Sequence, residues 1–353
     1  MEKNSRAASE LRDGFCDKLT PTVPLDLGKC KTVGDLVKGM SKTAFGGRQL
    51  GEAADILYKM VKEKDCFVVL TLSGAMTVAK MGLVVCDMID NGMVDAVVST
   101  GALMAHGFIE SIGMTHFKYD QEMDDKKLYY AGYDRVYDTL ELEKNLDEAE
   151  LILSDVFKKI NPDEVVCSYR LCEMIGEHLT KKYGGRGILK SAYDKKVPVF
   201  IPAFTDSELG LDFAIDNIKR MRAKEPLMRF DPFLDLNKYA ELIKKHETVG
   251  IFTIGGGVPR NWAQQVGPYL DIVEKRVGKD FGAFRRFKYA VRICPEPVHW
   301  GGLSGCSYSE GVSWGKFVPK SEGGQWAEVF ADATIAWPLI VKAVLERLKN
   351  DSR

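Results

Sequence analysis

Lys316 closes a seven-residue segment, EGVSWGK from Glu310 to Lys316, that gathers three residue types suited to amine chemistry. A lysine amine attacks a carbonyl or imine carbon only when unprotonated, a state favoured by apolar surroundings or a neighbouring cation. Trp314 can lower the polarity around that amine. Alternatively, it can lay its ring face against a substrate ammonium in a cation–π contact worth about 0.5 to 2 kcal/mol. Glu310 can pair with the same ammonium or act as a general base. The segment is therefore expected to be an active-site segment with Lys316 as its nucleophile. The same spacing also describes an ordinary surface lysine after a Trp-Gly turn.

Three apolar runs end in turns of small residues: Leu70 before Thr71-Leu72-Ser73-Gly74-Ala75, Val98 before Ser99-Thr100-Gly101-Ala102, and Ile254 before Gly255-Gly256-Gly257. In an open parallel sheet the carboxyl ends of the strands face the ligand crevice, and glycines there let backbone amides approach a phosphate or ribose. Three such turns in one chain point to a nucleotide site. No G-x-G-x-x-G fingerprint and no G-x-x-x-x-G-K-[ST] loop occurs, so the binding arrangement must be an unusual one. Asp206 and Asp332 lie just beyond strands and can accept hydrogen bonds from ribose hydroxyls; each can equally cap a helix.

The elements that must hold these residues read as an α/β fold with a Rossmann-like parallel sheet covered on both faces. Strands are expected at Cys66–Leu70, Met93–Val98, Val197–Ile201, Val249–Ile254, Tyr289–Ile293 and Ala327–Phe330. Helical periodicity marks Leu50–Lys62, Asn261–Val277 and Ile335–Leu348, with Pro338 in the first turn of the last. Residues 1–40, with the two prolines of TPTVPLDLG, read as an N-terminal arm of the kind that packs on a neighbouring subunit, and 41–353 as a single catalytic domain. The charged stretch Lys118–Glu150, poor in strand-like runs, reads as a surface excursion or interface element.

Composition narrows the classes. With 49 Lys and Arg against 50 Asp and Glu, nothing favours wrapping a nucleic acid. No apolar run is long enough for a membrane span or secretory signal, so a cytoplasmic location is expected. The eight cysteines stand at irregular spacings, several in apolar runs, as buried reduced thiols do. Cys167 and Cys172 have no second pair to complete a zinc site and His178 has no partner at ligand spacing, so no metal is implied.

EGVSWGK, together with FTDSELG at 204–210, IGGGVPRN at 254–261, GMVDAVVSTGA at 92–102 and VFADATIAWPL at 329–339, resembles the deoxyhypusine synthase family. The blocks follow the family's order over roughly residues 40–348. The resemblance implies an NAD-dependent enzyme, usually a homotetramer with sites at subunit interfaces. It further implies that a spermidine amine is oxidised, that 1,3-diaminopropane leaves, and that the active-site lysine holds the aminobutyl group as an imine until an acceptor amine displaces it. By resemblance Lys316 is that lysine, and Trp314 and Glu310 line the amine pocket. Ser73, Gly74, Ala75, Met76, Thr77, Thr100, Gly101, Ala102, Asp206, Gly256, Asp332 and Ala333 match cofactor-contacting positions. His106, Asn261, Gly301, Gly302 and Leu303 fall at substrate-binding positions.

Several positions depart from the eukaryotic pattern. Leu303 and Leu211 stand where aspartates are expected, His106 where a glutamate is, Asn261 where a histidine is, and Cys294-Pro295-Glu296-Pro297 replaces a polar cofactor-binding stretch. Losing carboxylates that anchor a polyamine's ammonium groups weakens spermidine binding or changes the preferred amine. The GGLSG loop at 301–305 resembles the bacterial deoxyhypusine synthase-like branch. The expectation is thus an aminoalkyl transferase acting on spermidine, putrescine or agmatine, with homospermidine formation ahead of protein deoxyhypusine synthesis. The rival is a catalytically silent NAD- or polyamine-binding homologue.

Overall fold

The computed structural model describes residues 11–279, 281 and 283–351, so the first ten residues of the expected arm lie outside it. Residues 11–32 contain one short 3-10 helix, Leu27–Lys29. Helices α1 (Val33–Met40) and α2 (Phe45–Lys62) follow, the first opened by a capping box between Thr32 and Asp35. The chain then passes through β1 (Cys66–Leu72), α3 (Gly82–Asp90), β2 (Ala96–Ser99) and α4 (Gly101–Ser111). An excursion carries β3 (Phe117–Lys118), α5 (Asp125–Ala131), β4 (Tyr133–Val136), β5 (Thr139–Leu142) and α6 (Glu143–Phe157). Next come β6 (Val165–Val166), α7 (Ser168–Lys182), α8 (Ile188–Lys195), β7 (Val199–Phe200), α9 (Glu208–Ala223), β8 (Arg229–Phe230) and α10 (Phe233–Lys244). The last third holds β9 (Thr248–Ile254), α11 (Gly257–Gln264), α12 (Val266–Arg276), β10 (Tyr289–Ile293), α13 (Tyr308–Ser313), β11 (Gln325–Val329) and α14 (Ala333–Asp351).

Six of these strands form one parallel sheet in the order β11-β10-β9-β1-β2-β7. Ranked by place in the chain and read from the β7 edge, that is 3-2-1-4-5-6, the doubly wound order whose ligand crevice opens where the order reverses. Here the reversal lies between β1 and β9, paired in register from Cys66↔Thr248 to Leu72↔Ile254. Both strands are mostly apolar because both faces are covered, and their buried Thr71 and Thr253 hydroxyls hydrogen-bond to each other at 2.9 Å. Val68, Leu70 and Leu72 of β1 join a core with α2, α3, α4, α8, α9 and α14, whereas Phe67 and Val69 join one with α10, α11, α12, Phe287, Tyr308 and Phe317.

The expected class holds, and several details differ. The Met93–Val98 strand begins only at Ala96, Asn261–Val277 is two helices meeting at Gln265, and β11 starts two residues earlier than expected. Pro338 sits in the second turn of α14, not the first, because Asp332 starts the helix at Ala333 by accepting from the Thr334 amide at 2.7 Å. The Lys118–Glu150 excursion contains a three-stranded antiparallel sheet, β3-β5-β4, that the charged composition hid; Leu140 and Glu141 of its central strand are buried.

Candidate active site

Ser73 ties the two sides of the switch point together. Its hydroxyl donates to the Ile254 carbonyl at 3.2 Å and accepts from the Gly256 amide at 2.9 Å. Gly256 is required by close approach: a Cβ there would lie 1.9 Å from the Ser304 carbonyl oxygen. The turns after β2, β7, β9 and β11 each lead into a helix, so four helix N-termini, with their unpaired amides, open at the carboxyl end of the sheet. Thr100 caps α4 through the Leu103 amide, and Thr77 donates to the Leu103 carbonyl at 2.9 Å, which holds the Ser73–Thr77 turn against α4. Gly74 and Ala75 are exposed at the top of the crevice and Met76 half-buried. A glycine-lined crevice ringed by helix N-termini fits the pyrophosphate and riboses of a dinucleotide.

Asp206 and Asp332 resolve differently. Asp332 caps α14 with both the Thr334 amide and hydroxyl, and Ala333 is buried behind it. Asp206 is not a cap, since Ser207 fills that place by accepting from the Gly210 amide. The Asp206 carboxylate is exposed and has no hydrogen bond among the described residues, which leaves it free for a ligand.

Lys316 is 6% exposed, and its Nζ donates to Asn261 Oδ1 at 3.0 Å. Burial pushes its pKa below the usual lysine range; Cys306 and Glu310 oppose that shift and Arg260 adds to it. Its backbone is fixed from the other side, because the Phe287 amide donates to the Lys316 carbonyl at 2.9 Å and Phe287 pairs with Phe317. Gly315, at φ +69°, makes the left-handed turn that sends the lysine inward. The Trp314 ring, 64% exposed, stands 6.0 Å from Nζ with surface left for a ligand, as the second of its two expected roles requires. Glu310, capped onto Ser307, is exposed on α13. Gly301, Gly302 and Leu303 form an exposed turn.

Behind that turn lies a buried polar layer that the sequence reading missed. Arg260, beside Asn261 on α11, donates to the Ser304 and Cys306 carbonyls at 3.3 and 2.7 Å and covers the Tyr308 ring. Arg292, 1% exposed, donates to the Gly255 carbonyl at 3.2 Å and to the Ser304 hydroxyl, and approaches Glu328 to 3.6 Å. Burial raises the Glu328 pKa and the two arginines partly offset it. These arginines clamp the 301–306 loop over the glycine turn of β9. The signal was available: an arginine inside the apolar strand Tyr289–Ile293 is costly unless it holds something.

His106 does not join the lysine group. It lies on α4, whose core residues cover one face of the sheet, whereas α11, Tyr308 and Phe317 cover the other. Its contacts are Glu141 and, through Glu141, His116. Leu211 is exposed on α9. All eight cysteines are free, and His178 faces Lys159 rather than Cys167 or Cys172. No helix among the described residues is long and apolar enough to cross a membrane.

The deoxyhypusine synthase family model matches residues 35–344. The chain belongs to that family. It is 36% identical over 335 residues to a Methanosarcina acetivorans protein named probable deoxyhypusine synthase 2, covering 94% of this chain and 92% of that one. It is 34% identical over 307 residues to a deoxyhypusine synthase-like protein of Chlorobaculum parvum, covering 86% and 84%. The crystal structure of an Entamoeba histolytica protein assigned to deoxyhypusine synthase shares the fold at TM-score 0.60 and 15% identity, covering 91% of this chain and 96% of that one. The family consists of NAD-dependent aminobutyl transferases, so the cofactor is NAD.

Proposed function

We propose that the deoxyhypusine synthase-family chain described here moves an aminobutyl group between small amines through an imine on Lys316, forming homospermidine or a related polyamine. The observation that carries the reading is Lys316 itself, a buried amine of lowered pKa whose one hydrogen-bond partner among the described residues is a neutral amide. An imine-forming lysine needs such surroundings. NAD, held by the Ser73–Thr77, Thr100–Ala102 and Gly255–Gly257 turns, supplies the hydride acceptor. Trp314 offers its ring face to the ammonium end of the amine, and Asn261 orients Nζ. Neither Leu303 nor Leu211 supplies a carboxylate, which favours a shorter amine acceptor over the protein lysine of a translation factor.

Asn261, the partner of Lys316, lies on the helix that the Gly255–Gly257 turn opens, and we take the active assembly to be a homotetramer with sites at its subunit interfaces. The test is incubation with NAD and labelled spermidine, putrescine or agmatine, followed by borohydride reduction and peptide mapping. Label on Lys316 is the expected result, and its absence with every amine refutes the transferase. Product analysis with and without putrescine separates homospermidine formation from protein modification.

A further inference from the structure

Glu141 is wholly buried on β5, and its two carboxylate oxygens face two histidines: Oε2 contacts His106 Nδ1 of α4, and Oε1 lies 3.3 Å from His116 Nε2. These four atoms are shut off from solvent; they face one another at ion-pair distance, and none makes a regular hydrogen bond to any described residue. A buried carboxylate is tolerated only when paired, so either protons or a cation must lie among these atoms. Lys80 decides between them. Its Nζ sits 2.8 Å from His116 Nδ1 and 2.5 Å from Glu110. An ammonium has hydrogens and no lone pair to share, so His116 Nδ1 is the acceptor and its ring hydrogen is on Nε2, turned toward Glu141. The other carboxylate oxygen places the His106 hydrogen on Nδ1. His106 Nε2 is left as the free nitrogen.

The outlook of His106 follows from the helix. Ala102, His106 and Glu110 are the only residues of α4 that are not buried. At i, i+4 and i+8 they form one face, with Ala102 in the first turn at the NAD crevice and His106 about 6 Å further along. The charged groups acting on His106 from the packed elements are Glu141, Glu208 of α9 and Asp134 of β4. Burial disfavours charge on the ring, and these carboxylates outweigh it, so His106 is a stronger base than a free histidine. Burial likewise opposes the Glu141 charge, yet the two histidines hold that carboxyl down to about 2.

We infer that His106, oriented by Glu141 and His116, is the group that takes the proton an amine substrate must lose before the carbon beside its nitrogen can be oxidised. In that step one N–H bond of the substrate ammonium breaks and one N–H bond forms at His106 Nε2. The electron pair left on nitrogen then expels hydride, for which NAD is the acceptor. Glu141 and His116 are positioning residues, acting through the tautomer and charge of His106. The assignment rests on the proposed transferase reading, and it gives the histidine that replaces a carboxylate a role of its own.

The test uses the full-length oligomer with isotopically labelled histidine. Nuclear magnetic resonance titration is expected to place the His106 midpoint above that of free histidine in the wild type, lower by about one unit or more in Glu141→Gln, and between the two in Glu141→Asp, which keeps the charge. The acid limb of amine-driven NADH formation should move down with it, and the high-pH rate should fall about ten- to a hundredfold, while NAD affinity and amine KM stay unchanged. An unshifted His106 midpoint in Glu141→Gln overturns the relay. So does one equivalent of tightly bound metal in the wild type that the variant lacks, because the trio would then be a metal site. If no amine reduces NAD in the wild type, the transferase reading falls, and the histidine titration alone judges the relay.

Discussion

Asn261→Asp tests whether Lys316 works through its free amine. The substitution changes one atom type at the position 3.0 Å from Nζ and places a carboxylate there. At that distance two unit charges interact by about 5 kcal/mol at an effective dielectric near 20. Water reaching the site past the exposed Trp314 weakens this toward the shift of about one to three pH units found for close opposite charges. The sign follows from the lysine: a raised pKa keeps Nζ protonated to higher pH, and each unit leaves about tenfold less free amine below the midpoint. The assay needs no cofactor. Lys316 is allowed to condense with a small aldehyde between about pH 6 and 10, the imine is reduced with borohydride, and the labelled fraction is read by mass spectrometry. The labelling curve of Asn261→Asp should move up by about one to three units with its plateau intact, while Asn261→Ala stays near the wild type. Superimposed Asp and wild-type curves would refute the reading that Lys316 Nζ sits at Asn261 and reacts as its free amine.

Removing Arg292 as Met strands Glu328 without its nearest cation and takes donors from Gly255 and Ser304, so unfolding in urea at fixed protein concentration should show a loss of about 3–5 kcal/mol. Adding Glu328→Gln should recover part of it. Gly256→Ala drives a methyl into the Ser304 carbonyl, with an expected stability cost of about 1–3 kcal/mol and a larger proportional loss of NAD affinity in equilibrium titration. Asp332→Ala should lower stability by about 0.5–2 kcal/mol through the lost α14 cap, and Asp332→Ser should restore stability but not NAD affinity if the carboxylate also reaches the cofactor. Glu141 has its pKa lowered on folding from 4.5 to about 2. Its contribution is therefore complete above pH 4.5 and lost as pH falls toward 2, and the acid-unfolding curve of Glu141→Gln should be flatter across that window.

The amino-acid sequence alone determined the class of fold, and it singled out the strand-end turns and Lys316 as candidates. Apolar runs closed by glycine turns are local signals, because a parallel strand buried on both faces must be apolar and the backbone beside a phosphate must be bare. The capping role of Asp332 was equally local, one of two readings open from its place before a helix. Tertiary structure decided what surrounds those residues. Asn261 and Lys316 are 55 positions apart, and only the return of α11 across the sheet face brings them to 3.0 Å. Arg260 and Arg292 read as single charges in the chain, whereas in the fold they are the clamp on the 301–306 loop. His106 was read as one more wall of the amine pocket. Its position on the opposite face of the sheet, against a glutamate from a strand the sequence hid in a charged excursion, gave it different company, because burial and pairing of charge depend on neighbours that the order of residues does not place side by side.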